Sequence, residues 1–239
     1  MALKAVFFDL DGTLLPFDRK AFEKGYGQII YQTFLDHEDP MKVVKVVMAS
    51  VKAMTQNHGP TTNEQVFLDY FMKTMNDHCL TYYMDKFMDM YATSFNQLKA
   101  ICEFEPLAKP LVDMVKSYGL TTVLATNPLF PQIATYARCS WSGVDPKTFD
   151  FITTYENSIS AKPDPHYFNW LVDHLGLTTD EVILIGNDCI EDGAALQCGI
   201  DVLLVDRYLE HGELKDQMPY VGTMAQVMER LKGRIENHG

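Results

Sequence analysis

The chain has 239 residues, 47% of them hydrophobic, and carries a net charge of −12 with a sequence pI near 4.9. This composition excludes a disordered chain, and the length suits one large domain or a domain with an inserted module. A chain this acidic lacks the basic face needed to bind nucleic acid or an anionic membrane surface, so we expect neither as a partner.

The first predicted element is a short strand that ends in a pair of acids. An apolar run at residues 5–8 leads directly into Asp9-Leu10-Asp11-Gly12-Thr13, which is typical of a buried strand followed by a turn. Two carboxylates so close together repel each other, and Mg²⁺ suits one or two carboxylates plus a phosphate. Such a pair can also divide the chemistry, one acid attacking and the other moving a proton.

Residues 16–104 are predicted to be helical throughout, with apolar residues at the spacing of a small helical bundle. From about residue 105 onward, strands and helices alternate. The predicted elements of this part are a helix at 110–118, strands at 120–125 and 149–153, a helix opening at Asp164-Pro165, a strand at 182–185, a helix at 190–198, a strand at 202–205 and a terminal helix at about 222–239. Apolar strands that alternate with helices predict a parallel sheet covered on both faces.

Polar residues follow three of the predicted strands at the point where each strand ends. Asp9, Thr126 and Asp188 all lie just past the carboxyl end of a strand. In an open parallel α/β sheet that edge is where ligands bind. The sequence therefore predicts that three separate segments place functional side chains at one edge of the sheet.

Four motifs in a fixed order carry a resemblance to a known family. They are Asp9-Leu10-Asp11-Gly12-Thr13-Leu14, then Thr126-Asn127, then Lys162-Pro163, then Gly186-Asn187-Asp188 with Glu191-Asp192. In this set the sequence resembles the phosphatase branch of the haloacid dehalogenase superfamily. The resemblance implies a Rossmann-like α/β core formed by residues 1–15 and 105–239, with helices on both faces of a parallel sheet. It also implies that residues 16–104 form an inserted α-helical cap of type 1.

The resemblance assigns the chemistry to the two acids after the first strand. Asp9 is implied to be the nucleophile, which forms an aspartyl-phosphate. Asp11 is implied to protonate the leaving oxygen and then to deprotonate the attacking water. Asp9, the backbone carbonyl of Asp11 and the Asp188 carboxylate are implied to hold Mg²⁺, which orients the phosphate for in-line attack.

The remaining motif residues are implied to bind phosphate or to support the site. The Thr126 hydroxyl and the Asn127 backbone N–H would donate to phosphate oxygens, and Lys162 would neutralise charge on Asp9 and the phosphoryl group. Asp192 lies four residues after Asp188, so both can face the same way if a helix begins there. We expect Asp192 to orient a metal-bound water or Lys162 rather than to touch the metal.

The implied function is Mg²⁺-dependent hydrolysis of a phosphomonoester of a small soluble metabolite, and several alternatives stay open. Dehalogenation is disfavoured, because Asp11 and the metal ligands would serve no purpose in it. A sugar-phosphate mutase would use the same nucleophile and acid. Phosphonate cleavage would need a cap lysine as a Schiff base, for which the candidates are Lys20, Lys24, Lys42, Lys45 and Lys52. Outside enzymes, a phospho-accepting module like a response-regulator receiver and a non-catalytic binding protein are the alternatives.

Other sequence features point to no further site. The histidines at positions 37, 58, 78, 166, 174, 211 and 238 do not cluster along the chain, and we interpret them as structural or surface groups. No apolar run approaches the ~18 residues of a membrane span, and from the N-terminal residues we expect no signal peptide. The five scattered cysteines include no CxxC pair, which favours reduced thiols, and we expect a cytoplasmic protein.

Overall fold

A single parallel sheet organises the chain, of which the computed structural model describes residues 2–76 and 79–238. Its strands are β1 (Ala5–Phe8), β2 (Thr121–Leu124), β3 (Phe151–Ile152), β4 (Val182–Gly186), β5 (Asp201–Val205) and β6 (Val221–Gly222). They are arranged in the order β3-β2-β1-β4-β5-β6, and every neighbouring pair is parallel. The chain therefore has a Rossmann-like α/β fold, as the alternating pattern predicts.

Helices flank the sheet and fill the long segment after its first strand. The α-helices are α1 (Arg19–Thr33), α2 (Pro40–Met54), α3 (Asn63–Met75), α4 (Leu80–Ala92), α5 (Ala108–Ser117), α6 (Gln132–Trp141), α7 (Pro165–His174) and α8 (Met224–His238). Short 3₁₀ helices occupy Ser94–Ile101, Pro146–Thr148, Thr179–Glu181, Gly193–Cys198 and Gly212–Gln217. Within the described ranges, no helix combines the length and the apolar character needed to cross a membrane.

Strand β1 lies in the middle of the sheet and is buried on both faces. It is hydrogen-bonded to β2 on one side and to β4 on the other. Val6 and Phe8 point into the apolar cluster that includes the helices after β1, whereas Ala5 and Phe7 point into the cluster on the opposite face. All four side chains are fully buried, which is why the strand is an unbroken apolar run.

The structure differs from the predicted elements in several places. The helix predicted at residues 190–198 is a turn followed by the 3₁₀ helix Gly193–Cys198, because the Asp188 carbonyl accepts from the backbone N–H groups of both Asp192 and Gly193. The sequence pattern did not reveal α6 or the two-residue strand β6. The terminal helix ends within the described residues at His238, and residue 239 lies outside them.

The helices between β1 and α5 pack around their own aromatic side chains. Phe71 lies with its ring centroid 5.1 Å from that of Tyr83 and 5.6 Å from that of Phe87, and Phe34 lies 5.1 Å from Phe87. These rings meet edge to face, the arrangement that aromatic pairs favour. These aromatic side chains belong to the same buried cluster as Val6 and Phe8 of β1, so the helices and this face of the sheet share one apolar core.

Hydrogen bonds at Glu103 and Asn63 help to tie this helical segment to the sheet-forming part. The backbone N–H of Glu103 donates to the carbonyl of Pro16 at 2.8 Å, which joins the two connections between the parts. The fully buried Asn63, at the start of α3, donates through Nδ2 to the carbonyls of Pro128 (3.1 Å) and Ser160 (3.0 Å). Its Oδ1 accepts from Asn57 at 2.8 Å, so the Asn63 side chain is fully hydrogen-bonded in a buried position.

Candidate active site

Asp9 follows the last residue of β1 and lies at the bottom of the candidate site. Asp9 is 7% exposed, and its carboxylate has Oδ1 at 2.9 Å from Lys162 Nζ and Oδ2 at 3.2 Å from the Thr13 hydroxyl. Burial raises the pKa of Asp9 to about 8, and the Lys162 ammonium opposes that rise. Further positive charge beside Asp9 would favour the ionised, nucleophilic form.

Lys162 is held between two carboxylates. The Lys162 side chain is 1% exposed, and its Nζ lies 2.6 Å from Asp192 Oδ1 as well as 2.9 Å from Asp9 Oδ1. Burial lowers the pKa of Lys162, but the charges of Asp192 and Asp9 outweigh it and raise that pKa well above its ordinary value. The N-cap of α7, where Asp164 accepts from the His166 N–H at 2.9 Å, fixes the backbone directly after Lys162.

Asp192 also supports the loop after β4. Its Oδ2 accepts from the backbone N–H groups of Asn187 at 2.9 Å and Asp188 at 3.0 Å. The close approach requires glycine at position 186, since a Cβ there would lie 2.1 Å from this oxygen. Asp192 therefore contacts Lys162 and the loop backbone, and its two oxygens are both engaged.

The turn after β1 packs directly against the loop after β4. Gly12 has φ +83°, and a Cβ on it would lie 2.2 Å from Asn187 Nδ2, so backbone conformation and space both call for glycine. Asn187 in turn accepts from the Thr13 hydroxyl at 3.0 Å and donates to the Tyr208 carbonyl at 2.8 Å. These bonds fix the spacing between the two acid-bearing segments.

Asp11 is paired with a buried arginine. The side chain of Arg138, from α6, is fully buried, and its Nη1 donates to Asp11 Oδ2. The guanidinium carbon lies 4.3 Å from the ring centroid of Phe130, a cation–π contact. Asp11 Oδ1 and Arg138 Nε are both buried, and neither has a hydrogen-bond partner.

Asp188 presents one oxygen to the site and uses the other to hold its position. Its Oδ1 accepts from the backbone N–H groups of Ile190 (2.7 Å) and Glu191 (2.9 Å) and lies 2.9 Å from His211 Nδ1. Its Oδ2 is buried without a hydrogen-bond partner, 3.6 Å from Arg19 Nη1. The hydrogen bond to Asp188 raises the pKa of His211, and burial opposes this.

Thr126 and Asn127 follow β2 after one intervening residue, Ala125, on the same edge of the sheet. The Thr126 hydroxyl is buried and has no hydrogen-bond partner. Asn127 donates through Nδ2 to Glu191 Oε2 at 3.0 Å, and Glu191 Oε1 accepts from Arg19 Nη2 at 3.0 Å. Arg19 is the first residue of α1, so this chain of contacts links the helical segment to the loop after β4.

The donor set suits a small oxygen-ligated cation. Asp9 and Asp188 offer carboxylates, and the buried, unpartnered Oδ2 of Asp188 is the kind of oxygen that a bound cation would satisfy. Over residues 2–76 and 79–238, no three His, Cys, Asp or Glu side chains are grouped closely enough to form a metal site by themselves. A site here would therefore include backbone carbonyl and water ligands, which Mg²⁺ accepts.

A cavity of about 330 Å³ opens above these groups. Six of the seven side chains predicted from the motifs line it, namely those of Asp9, Asp11, Thr126, Asn127, Asp188 and Asp192. Lys162 joins them through its contact with Asp9. The structure thus brings all seven residues to one place.

Sequence reasoning missed three residues of this site and made no claim for a fourth. Arg138 and His211 contact the predicted acids, Arg19 contacts Glu191, and Glu191 was left without a role. His211, interpreted from the sequence as a structural or surface group, is partly exposed and contacts Asp188 Oδ1. His78 and the side chain of His238 lie outside the described residues.

Comparisons with known proteins agree with this architecture. The family model described as haloacid dehalogenase-like hydrolase matches residues 3–199. The comparison with curated proteins found no match. A predicted phosphoglycolate phosphatase from Haemophilus somnus superimposes with a TM-score of 0.59 at 18% identity, over 96% of this chain and 97% of that chain.

Other similar solved structures carry different activities in their names. A candidate β-phosphoglucomutase from Thermotoga maritima has a TM-score of 0.58 at 18% identity, over 97% of this chain and 99% of that one. The L-2-haloacid dehalogenase from Xanthobacter autotrophicus has a TM-score of 0.51 at 17% identity, over 96% of this chain and 88% of that one. At these identities the likeness shows a shared fold, and the reaction has to be argued from the site.

Proposed function

The chain belongs to the haloacid dehalogenase-like hydrolase family, and from that premise we propose that it is a Mg²⁺-dependent phosphomonoester hydrolase. The substrate would be a small phosphorylated metabolite, and Asp9 would carry the phosphoryl group as an aspartyl-phosphate. The helices of residues 16–104 would serve as a cap that keeps bulk water from the site.

One observation carries this proposal over dehalogenation. Among the other carboxylates that line the cavity, Asp11 and Asp188 each hold a buried oxygen without a hydrogen-bond partner, Asp11 Oδ1 and Asp188 Oδ2. Displacement of a halide by Asp9 would require neither of these two groups. Phosphoryl transfer uses both, because a proton must reach the leaving oxygen and cationic charge must be held against the phosphate.

In the first step the Asp9 carboxylate attacks phosphorus, and the bond between phosphorus and the alcohol oxygen breaks. Asp11 gives its proton to that oxygen, which leaves as the free alcohol. Arg138 engages Oδ2 of Asp11, so we expect the proton to move from Oδ1. The Thr126 hydroxyl and the Lys162 ammonium would donate to the phosphoryl oxygens as charge develops on them.

In the second step a water molecule gives a proton to Asp11 and attacks the phosphorus of the aspartyl-phosphate. The bond between phosphorus and Asp9 breaks, which releases inorganic phosphate and restores both carboxyl groups. Asp9, the backbone carbonyl of Asp11 and Asp188 would hold Mg²⁺, which supplies positive charge against the phosphate and the nucleophile. Asp192 would hold Lys162 and the loop of Asp188 in place through the contacts described above.

The cavity also bears on phosphonate cleavage, which needs a lysine beside the substrate. Of the five lysines that the sequence left open, Lys52 is the one that lines the cavity. Reduction with borohydride in the presence of an aldehyde phosphonate would trap a Schiff base on Lys52 if that chemistry operated. A mutase would retain phosphate on its sugar, so release of inorganic phosphate separates the proposed hydrolase from it.

The proposal is tested by phosphate release from p-nitrophenyl phosphate, with Mg²⁺ and with EDTA, by the unmodified chain and by Asp9→Asn. We expect release that requires both Mg²⁺ and Asp9, with the Asp9→Asn chain still folded. The matched control is Asp206→Asn, since Asp206 also follows a strand, β5, but is exposed and does not line this cavity. Equal release by Asp9→Asn, or release that survives EDTA, would contradict the proposal.

A further inference from the structure

The walls of the cavity above Asp9 are mainly apolar. Phe17, Phe22, Tyr26 and Val51 come from the helical part, and Leu129 and Phe130 come from the loop after β2. Phe17, Phe22 and Tyr26 are each 5–6% exposed, and the rings of Phe17 and Phe22 stack with centroids 4.6 Å apart. These three side chains are therefore held in place by packing, and the apolar character of the walls is fixed.

The one hydroxyl among these six residues is already occupied. Tyr26 Oη lies 2.6 Å from Tyr91 Oη in a buried hydrogen bond, and Tyr91 does not line the cavity. Tyr26 thus offers the cavity the carbon face of its ring. Of the polar lining residues contributed by the helices, Glu23, Lys52 and Thr55 are exposed or only partly buried, and Arg19 is already paired with Glu191 beside Asp188 at the phosphate end.

These walls discriminate between classes of phosphomonoester. A sugar or other polyol phosphate would bring several hydroxyl groups against surfaces without donors or acceptors, and a buried hydroxyl without a partner is strongly disfavoured. An apolar body gains affinity from the same surfaces in proportion to the area removed from water. The cavity volume, about 330 Å³, lies at the small end of ligand pockets and suits a phosphate with one ring-sized group.

We infer that the substrate is the phosphomonoester of a small apolar alcohol, aromatic or branched aliphatic, rather than of a sugar or polyol. The inference rests on the proposed function for the reaction at phosphorus, but its binding side is independent of turnover. The phosphate end would lie toward Thr126 and Lys162, and the carbon body would lie between Tyr26, Val51 and Phe130.

Binding is measured by calorimetry on the full chain in Mg²⁺, with three phosphonates whose carbon–phosphorus bond resists Asp9 attack. Benzylphosphonate supplies an apolar ring, 2,3-dihydroxypropylphosphonate supplies a polyol, and methylphosphonate supplies the anchor alone. We expect benzylphosphonate to bind at least about tenfold more tightly than the other two. Equal affinities, tighter binding of the dihydroxypropyl compound, or no binding of any phosphonate would overturn the inference.

Turnover is measured separately with benzyl phosphate and glycerol 1-phosphate, which are both esters of primary alcohols. We expect kcat/KM to favour benzyl phosphate by about tenfold or more. Hydrolysis without this preference would refute the inferred substrate class but would still support the proposed hydrolase function. Selective binding of benzylphosphonate without hydrolysis of either ester would refute the hydrolase and leave the binding preference standing.

A pair of variants on α2 locates the preference in the cavity wall. Val51→Asn puts an amide into the lining, and we expect it to weaken benzylphosphonate binding about fivefold to tenfold while methylphosphonate binding stays unchanged. Lys45→Asn makes the same residue on the same helix at an exposed position outside the cavity. An equal loss in both variants, or none in Val51→Asn, would show that the wall does not select the ligand.

Discussion

The fully buried guanidinium of Arg138 is ion-paired with the carboxylate of Asp11, which faces the cavity. Arg138 lies on α6, and Asp11 lies in the turn after β1. The ion pair therefore joins α6 to that turn. The pairing fixes which oxygen of Asp11 is free for chemistry. It also makes the stability of the protein depend on an acid that we propose for catalysis.

Removal of the Asp11 carboxylate should therefore cost stability as well as activity. Asp11→Ala leaves Arg138 as a buried charge without its partner, and we expect the free energy of unfolding to fall by about 3 kcal/mol. The measurement is urea denaturation of the two single variants and of Asp11→Ala/Arg138→Met. The double variant should regain at least half of the loss, and a strictly additive result would refute the coupling.

Two glycine substitutions should act in opposite directions. Gly186→Ala places a Cβ 2.1 Å from Asp192 Oδ2, so Asp192 must move from Lys162, and we expect stability and phosphate release both to fall sharply. Gly233→Ala adds a Cβ to helix α8 where nothing lies within 4 Å, and we expect about 0.5–1 kcal/mol of stabilisation. Thermal unfolding of the two variants beside the parent chain checks both signs, and a tolerated Gly186→Ala would contradict the packing described here.

Mg²⁺ should stabilise the folded chain through Asp188. At a concentration about 100 times its Kd, a ligand specific for the folded state adds about 2.7 kcal/mol, which is seen as a rise in Tm. Asp188→Asn should abolish this rise. His211→Ala, which frees Oδ1 of Asp188 from one of its three partners, should weaken Mg²⁺ affinity about tenfold. A full Mg²⁺ response in Asp188→Asn would remove Asp188 from the ligand set.

The buried Asn63 should matter for the attachment of the helical segment. Asn63→Ala leaves the carbonyls of Pro128 and Ser160 without this donor, and we expect about 3 kcal/mol of destabilisation. Asn96→Ala, at an exposed position in the same segment, should change stability by less than about 0.5 kcal/mol. Limited proteolysis should cut the helical segment faster in Asn63→Ala, and equal rates in the two variants would count against the contact.

The fold was predictable from short-range patterns, which also marked the strand ends at the site, whereas the roles of the site residues came from the family resemblance of the four motifs. An apolar run that stops at a polar residue marks where a buried parallel strand ends, and such ends meet at one edge of a sheet. Asp9, Thr126 and Asp188 therefore converge on one cavity, as expected. The N-cap at Asp164 was equally predictable from the sequence. Its side chain accepts from a backbone N–H that has no partner within the helix.

The remaining parts depend on contacts that no local pattern encodes. Helix α6 starts after Pro131 without a side-chain cap, and its buried face carries Thr135 and Arg138, so its polarity does not resemble that of an inward face. His211 contacts Asp188 from a loop, where it adopts a left-handed backbone conformation with φ 52°. The neighbouring sequence does not predict this conformation. These residues were missed because tertiary pairing, not periodicity, decides their position.

The central place of β1 in the sheet has a consequence for how the chain folds. Ala5 is paired with Thr121 on one side and with Val182 on the other, so the middle of the sheet closes two very long loops. Pairings between distant segments slow folding, because the entropy of loop closure is lost before the contacts form. Strand β1, which leads into the proposed nucleophile Asp9, therefore becomes fixed only when both later parts of the sheet have formed, and the edge that bears the proposed site cannot assemble ahead of the whole core.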